Sequence, residues 1–543
     1  MATPADIGTS IVQDIISRWK KMTTNRTNYE SQWQDIANYT LPSRDFFHQY
    51  AAGTKRNTKI FDITGIYANE QLAGWIHGSS GSSQSEWFAL GIEGKKAPGR
   101  SLQIWLDNAK NTMHDIFNNV GGGFSTQLHE YYLELVAFGN GIFYEEIVDG
   151  RIVFRCFPLA DCYFSENAWG VVDTMYRRTR WTAKAAMQYF GDKASDYIKE
   201  KFASDPNHIL EIIHCVEPRI GNTIVGGYKT NKPWGSYYID VKGQTLLDEG
   251  GYDMFPYQVG RWSKRSGEEA GFGPGGAALP SVKMVNRMME VSIRGIEKLV
   301  DPPLLVPDDG VIQNITLQPG GINIYRAGSD KIEPLVTNTR PEIAIQAIEG
   351  VQSSIMRQYY VDWLQIRQGQ PLTATETIDN RDKSMRLMAP IIARDESEFR
   401  GPLIKRVLYL AMQIGLIPPP PDEIAGQKIR VKYISQMAQA QRMGEMDSIV
   451  RTIQFGNLLS AYDPLIGTNI NTDNTYRYVA QKINHVPEEL LNSMDDVSAM
   501  RNNAAQAQQQ QQRNEQALAV TKSIQQGGAG AQAVAAANAT AAQ

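Results

Sequence analysis

Residues 268–291 read "EEAGFGPGGAALPSVKMVNRMMEV", and the interpretation of this stretch decides the fold. Gly271, Gly273 and Gly276 satisfy G-x-G-x-x-G and an amphipathic run follows at once, the order a dinucleotide-binding turn would show. Such a turn needs a strand running straight into the glycines, yet "WSKRSGEEA" intervenes here and Pro274 restricts the backbone inside the turn. Glu297 lies about 20 residues on, where a ribose-binding acid would sit, but it falls inside the helical stripe that follows. The stretch is therefore expected to be a flexible joint in front of a helix, not a phosphate cradle. That helix, 281–300, carries Val282, Val285, Met289, Ile293, Ile296 and Val300 on one stripe, consistent with a single packed face, and stops at "DPP".

Downstream, "VIQNITLQPGGINIYRA" holds two alternating runs split by Pro319, Gly320 and Gly321, a hairpin signal within 301–340. A second helix, from Pro341 to about residue 365, returns in the opposite sense, so two helices bracket a small β module. In "QGQPLTATETI", Gly369 and Pro371 end that helix, while Thr373 and Glu376 form a T-x-x-E capping box that starts another. The new helix, about 374–415, has Met385, Met388, Ile392, Phe399, Leu403, Val407 and Leu410 on one stripe. It should bend or break at Pro390 and Pro402, each of which removes a backbone donor. "IPPPPDEI" is a stiff connector, "KIRVKYI" a strand, and 436–500 helical. Residues 501–543 are Ala/Gln-rich with almost no apolar face, so they form either a supported helix or a disordered tail.

Upstream, residues 6–40 place Ile11, Ile15, Trp19, Met22, Trp33, Ile36 and Ala37 at helical spacing, which predicts two or three opening helices. A helix with Ile66, Leu72, Ala73 and Ile76 inward precedes the Gly/Ser loop "GSSGSS", and a helix pair spans about 101–138. The strands "GIFYEEIV", "RIVFRCFPL" and "VVDTMYRRTRW" follow, with more short strands between 209 and 262. The expected class is α+β, mostly helical.

Composition limits the chemistry. The chain has 543 residues, 42% apolar and 21% charged, and its 54 basic against 58 acidic residues give a net charge of −4. There is no global basic excess to hold nucleic acid by phosphate neutralisation. Cys156, Cys162 and Cys215 lack CxxC spacing and suggest free thiols in a reducing compartment; His208, His214 and Cys215 match no zinc spacing. No P-loop, nucleophile elbow, HExxH helix or defensible carboxylate pair occurs, so no catalytic, cofactor-binding or metal-ligating residue is assigned and no enzyme is expected. Neither a signal peptide nor an apolar run of about 18 residues is present, so no membrane span is expected.

The order of these parts resembles the portal protein, or head-to-tail connector, family of short-tailed, podovirus-type bacteriophages. The resemblance covers the chain to about residue 500. It is carried by "WQDIANYTLP", "FDITGIYANEQLAGWIHG" with "WFALGI", and "GNGIFYEEIVDGRIVFRCFPLADCYFSENAWGVVDTMYRRTRWTA". It continues through "GRWSKRSGEEAGFGPGGAALPSVKMVNRM", "QPLTATETIDNRDK", "PLIKRVLYLAMQIGLIPPPP" and "IRVKYISQMAQAQRM". Departures are local: Ala270 and Phe272 stand where the family commonly has a Tyr and an Arg, and its usual "SPLA" reads "SQMA" from Ser435.

The resemblance implies a portal fold assembled as a dodecameric ring at one capsid vertex of the virion, formed in the host cytoplasm. Residues 1–270 would be the wing, 271–300 and 341–365 the two stem helices, 301–340 the clip, with its hairpin turn at Pro319, Gly320 and Gly321. Residues 366–373, with Arg367, Gln368, Gly369, Gln370, Pro371 and Thr373, would form the channel loop. Residues 374–500 would supply the spine helix, capped by Thr373 and Glu376, then the wing return and the crown. Residues 501–543 would be disordered or extend a crown barrel. Implied partners are further copies of the chain, double-stranded DNA in the channel, the terminase large subunit, a tail adaptor protein, and capsid, scaffold and internal core proteins.

One physical point agrees with a channel. Residues 281–300 hold Lys283, Arg287, Arg294 and Lys298 against Glu290 and Glu297, a net of +2, while 341–365 hold Glu342, Glu349 and Asp362 against Arg357, a net of −2. About 30 Å of duplex carries roughly 18 phosphates, so a strongly basic lining repeated around a ring would trap DNA, whereas a near-neutral stem lets it slide. Solvated faces and subunit salt bridges account equally well for any single one of these charges. The alternatives are a scaffold or capsid-shell oligomer without a DNA channel, which has no need for two helices flanking a β module, and a dinucleotide-binding enzyme.

Overall fold

A run free of glycine and proline from Thr9 to Thr40 lets the chain open as one helix, α1 (Pro4–Thr40), where two or three were expected. In its polar middle the Thr23, Thr24 and Thr27 hydroxyls donate back to the carbonyls of Trp19, Lys20 and Thr23, so these groups are satisfied within the helix. The computed structural model describes residues 4–44, 60–80, 87–92, 99–219, 232–300, 304–305, 333–334, 341–364, 386–421, 429–433, 436–459, 461–463, 465–480 and 490–515, with isolated residues between them. The chain divides into two units: 1–94 with 108–439, and 95–107 with 440–543.

In the first unit, α2 (Thr64–Ser80), the latter part of α3 (Arg100–Asn118) and α4 (Phe124–Phe138) accompany two antiparallel sheets. The larger sheet has the order β4-β5-β6-β7-β8: β4 (Cys162–Glu166), β5 (Val172–Thr182), β6 (Ile209–Pro218), β7 (Trp234–Asp240) and β8 (Thr245–Tyr252). Short helices α5 (Ala183–Phe190) and α6 (Asp196–Ser204) connect β5 to β6. The smaller sheet, β3-β2-β9, joins β2 (Asn140–Val148), β3 (Arg151–Cys156) and β9 (Tyr257–Arg261), with Asn140 opposite Arg261. α1 lies against the larger sheet: Ile15, Ile16 and Trp19 pack with Tyr163, Tyr176 and Ile213. Its buried Arg26 donates to the carbonyls of Cys162 and Ala160 and stands 4.3 Å over the Tyr163 ring. β1 (Phe88–Ile92) finds its partner far along the chain in β12 (Ile429–Tyr433), the strand expected at "KIRVKYI".

α7 (Pro274–Val300) and α8 (Pro341–Gln358) are the two expected helices around residues 301–340. The first begins seven residues earlier than its apolar stripe suggests. The second ends early because Tyr360 takes a left-handed conformation (φ 60°), after which a single turn, α9 (Val361–Leu364), follows. Between α7 and α8 the described residues pair as β10 (Leu304–Leu305) against β11 (Glu333–Pro334). The stretch 366–373, the hairpin turn at 319–321 and the cap at Thr373 and Glu376 lie outside the described residues.

The later helix is described from residue 386: α10 (386–395), a π-turn at Glu396–Arg400, then α11 (Gly401–Gln413). The expected disturbance at Pro402 is this π-turn. Without an N–H on residue 402 the Glu398 carbonyl has no α-helical donor, and the ring would press on it. The chain widens one turn instead, with the Gly401 N–H reaching the Glu396 carbonyl. Met388, Phe399, Leu403, Val407 and Leu410 are buried, as the stripe requires.

The second unit contains most of α12 (Gln436–Leu459), α13 (Thr472–Tyr478) and α14 (494–515). Arg501 of α14 clamps Asp473 of α13 through both guanidinium nitrogens at 2.6 and 2.7 Å. The Ala/Gln stretch is therefore helical through residue 515, and exposed there.

Candidate functional site

The candidate site is the helix pair α7–α8 and the structure on which it stands. α4 ends at Gly139, whose φ of 82° is the left-handed cap that favours glycine, with its N–H on the Leu135 carbonyl. The next residue, Asn140, reaches 131 positions along the chain: its Oδ1 accepts from the Gly271 N–H at 2.7 Å and its Nδ2 donates to the Gly271 carbonyl at 3.3 Å. This brings the end of α4 onto the beginning of α7 so closely that no side chain fits between them. A Cβ on Gly271 would stand 2.2 Å from the Gly139 oxygen, one on Gly273 2.7 Å from the Val136 oxygen, and one on Gly275 2.3 Å from the Ala137 oxygen.

The glycine cluster is therefore a weld between two backbones. The expectation of a flexible joint is corrected, because the glycines are spent on close approach and not on freedom. The dinucleotide reading fails for the same reason: the space a pyrophosphate would need holds the last turn of α4. That turn's carbonyls carry the negative end of one helix dipole against the positive start of the other. Ser263 brackets the joint, accepting from the Phe272 N–H at 2.8 Å and donating to the Phe272 carbonyl at 2.6 Å, and Arg265 lies 3.5 Å over the Phe272 ring.

From this foundation the proximal half of α7 is buried through Ala278, Leu279, Val282 and Val285. Asn286 accepts from the backbone N–H groups of Phe61 and Asp62 at 2.7 and 3.2 Å, and Gln352 of α8 donates to Asp62 at 2.6 Å, so both helices are fixed just before α2. The distal half is different. Val291, Ile293, Ile296 and Val300 are exposed, Val300 by 79%, and Ile345 of α8 is exposed beside buried Ile348. The stripe expected to make one packed face is covered only at its proximal end.

The four expected stem cations separate into distinct roles. Lys283 is turned to α1, 2.5 Å from Asp35 and over the Tyr39 ring. Arg287 and Arg294 both grip Glu290, each at 2.7 Å, and hold its carboxyl below the ordinary range chiefly through the Arg287 hydrogen bond. Lys298 stands exposed in the last turn of α7, with no ion pair to a described residue. Arg357 and Asp362 face each other at 3.6 Å across the end of α8.

His208, His214 and Cys215, which match no zinc spacing, have separate surroundings where they are described. His214 is buried, with Nδ1 2.7 Å from the Tyr257 hydroxyl and Nε2 2.9 Å from the Ser236 hydroxyl; burial, aided by Arg177, pushes its pKa well down. Cys215 points to the other sheet face. Among the described residues no group of three or more His, Cys, Asp or Glu side chains could hold a metal ion, and no helix is long and apolar enough to cross a membrane. Sequence reasoning missed Gly139 and Asn140, whose signal is the "GNG" at the end of an apolar helix, and Arg261 with its partner Glu398, for which the sequence holds no signal.

The two antiparallel helices thus stand on a backbone weld, with a β pair between them. The chain belongs to the family described as bacteriophage head to tail connecting protein, whose profile matches residues 12–491. It is 27% identical over 515 residues to the portal protein of Salmonella phage epsilon15, covering 91% of this chain and 92% of that protein. A probable portal protein of Bordetella phage BPP-1 is likewise 27% identical over 461 residues, covering 82% of each chain.

Proposed function

We propose that copies of this chain close into a dodecameric ring at one capsid vertex, a portal through which double-stranded DNA is packaged and later ejected. The observation that carries the reading is the uncovered distal stripe of α7, Ile293, Ile296 and Val300, with Ile345 of α8 also exposed. A stripe of this length on an isolated soluble chain is a liability, and a head-to-tail contact repeated around a closed ring would bury it in every copy. In this reading residues 1–270 are the wing, α7 and α8 the stem, 301–340 the clip, 366–373 the channel loop, and 374–500 the spine, wing return and crown.

The charge arrangement supports passage of DNA without tight capture. Of the five basic residues of the stem, Lys283 is paired with α1, Arg357 with Asp362, and Arg287 and Arg294 share Glu290, so the phosphates of a sliding duplex meet little unpaired positive charge. The clip would dock the terminase large subunit and then the tail adaptor; capsid, scaffold and internal core proteins would meet the wing and crown. In the 366–373 loop, Gln368, Gln370 and Thr373 would touch DNA without full charges. Electron microscopy of the purified chain tests the reading: rings with an axial hole and a mass many times 60.6 kDa are expected. A stable monomer, or a closed shell fragment without an axial hole, would overturn it.

A further inference from the structure

Arg261, the last residue of β9, is almost completely buried and engages three separate parts of the chain. Its Nε and Nη2 hold the Glu398 carboxylate at 3.0 and 2.9 Å, while its backbone N–H donates to the same carboxylate at 3.1 Å. Nη1 donates to the Glu166 carboxylate and to the Glu269 carbonyl, and Nη2 to the Gly170 carbonyl at 3.1 Å. Lys264 completes the set, 2.5 Å from Glu166, so two cations balance two carboxylates. The side chain also lies against the weld, since a Cβ on Gly271 would meet the Arg261 Cβ at 3.0 Å.

Glu398 sits in the middle of the π-turn. A π-turn stores one extra residue, so everything before it is rotated by about 100° and shifted by about 1.5 Å relative to an unbroken α-helix. The turn thus sets the direction faced by α10, the helix that follows the 366–373 stretch. Three contacts hold this turn: Arg261 on Glu398, the Tyr433 hydroxyl donating to the Glu396 carbonyl at 3.0 Å, and Asp395, which accepts from Tyr131, Tyr132 and Arg400. The first ties the turn to the residues that lead into α7, whereas Asp395, together with Phe399 stacked 4.0 Å from the Tyr131 ring, ties it to α4.

We propose that Arg261 is a positioning residue: through Glu398 it fixes the π-turn and so couples the weld beneath α7 to the rotational setting of α10. A consequence for a channel loop rests on the function proposed above, but the coupling itself does not, and its test reads the helix alone. Lysine cannot supply the forked contact, and glutamine at 398 keeps the shape while removing the charge.

The test is amide hydrogen exchange on the full-length protein, read by mass spectrometry, for the parent, Arg261→Lys, Glu398→Gln and, as a control elsewhere in the same unit, Glu134→Gln. Exchange across 392–401 is expected to rise roughly tenfold or more in the first two variants, with β5–β7 and the control unchanged. Adding Pro402→Ala to Glu398→Gln should restore slow exchange, because the turn can then close as α-helix. Unchanged exchange at 392–401, a rise spread evenly over β5–β7, or no rescue by Pro402→Ala would each overturn the proposal. If Arg261→Lys does not fold, Glu398→Gln decides; failure of both to fold would make Arg261 a general stabiliser and overturn it as well.

Discussion

Gly275→Ala puts two opposed effects at one position. Gly275 is the second residue of α7, where alanine is the better helix former by roughly 0.5–1 kcal/mol, so a reading from propensity alone expects stabilisation. The new Cβ, however, would stand 2.3 Å from the Ala137 oxygen and 2.9 Å from the Ala137 carbonyl carbon, where ordinary contact begins at 3.4 Å. Both obstacles are backbone at the last turn of α4, so no side chain can step aside. The two helices must separate by about 1 Å, an overpacking cost of roughly 1–3 kcal/mol, and the Asn140–Gly271 hydrogen bonds stretch with them, worth about 1 kcal/mol more. The net expectation is a loss of about 1–3 kcal/mol. Gly74→Ala in α2 is the matched control, since a Cβ there meets nothing within 4 Å, and it should gain up to about 1 kcal/mol. Urea midpoints of the parent and both variants, followed by circular dichroism at low protein concentration, should move in opposite directions for the two substitutions. If Gly275→Ala moved with Gly74→Ala, or not at all, the weld would be looser than described and the reasoning would fail.

Burial pushes the Glu145 carboxyl up to about 8 against the opposing pull of Arg406, and Glu134 up to about 7 against Arg44. The folded chain then binds more protons than the unfolded one between pH 4.5 and 8, so these groups make stability fall as pH rises through that window. Glu145→Gln, which imitates the protonated acid, should match the parent near pH 5 and exceed it near pH 8 in denaturation midpoints; an unchanged profile would refute this. Cys156, Cys162 and Cys215 are buried with thiols pushed well up by desolvation, so an aromatic disulfide reagent should label them in denaturant but only slowly in the native protein. Fast native labelling of any of them would contradict their placement. Glu290→Gln frees Arg287 and Arg294 together, and should raise DNA binding by the assembled protein with a steeper salt dependence; equal binding at low salt would show that these charges do not face DNA.

The helices were legible wherever periodicity and punctuation act locally. Ile15 and Trp19, Leu72 and Ile76, and Leu403 and Val407 are buried as their spacing implied, and Pro341 begins α8. Position 402 was read as a disturbance, and only its form, a widened turn, required the structure, because that form depends on Tyr433 and Arg261 from distant segments. The glycine cluster shows the limit of sequence reading. Four glycines within six residues, 271–276, state that a Cβ is unwelcome, but not whether the reason is a ligand, a bend or another backbone. The backbone responsible belongs to residues 136–139, more than a hundred residues away. Likewise the stem charges could be counted from the sequence, but Lys283 and Arg287 differ in role only because Asp35 lies beside one and Glu290 beside the other.

α7 runs without a break from the weld to residue 300, 27 residues in all. At 1.5 Å per residue this is a rod of about 40 Å, so a tilt of 2° at its base displaces its tip by about 1.4 Å. In the proposed ring, copies that must meet in register at the far end of α7 need their tolerance set at the near end. The inability of Gly271, Gly273 and Gly275 to accept even a methyl group means that the base has a single seating. The seating of this rod is thus set by its smallest residues, at the end furthest from its tip.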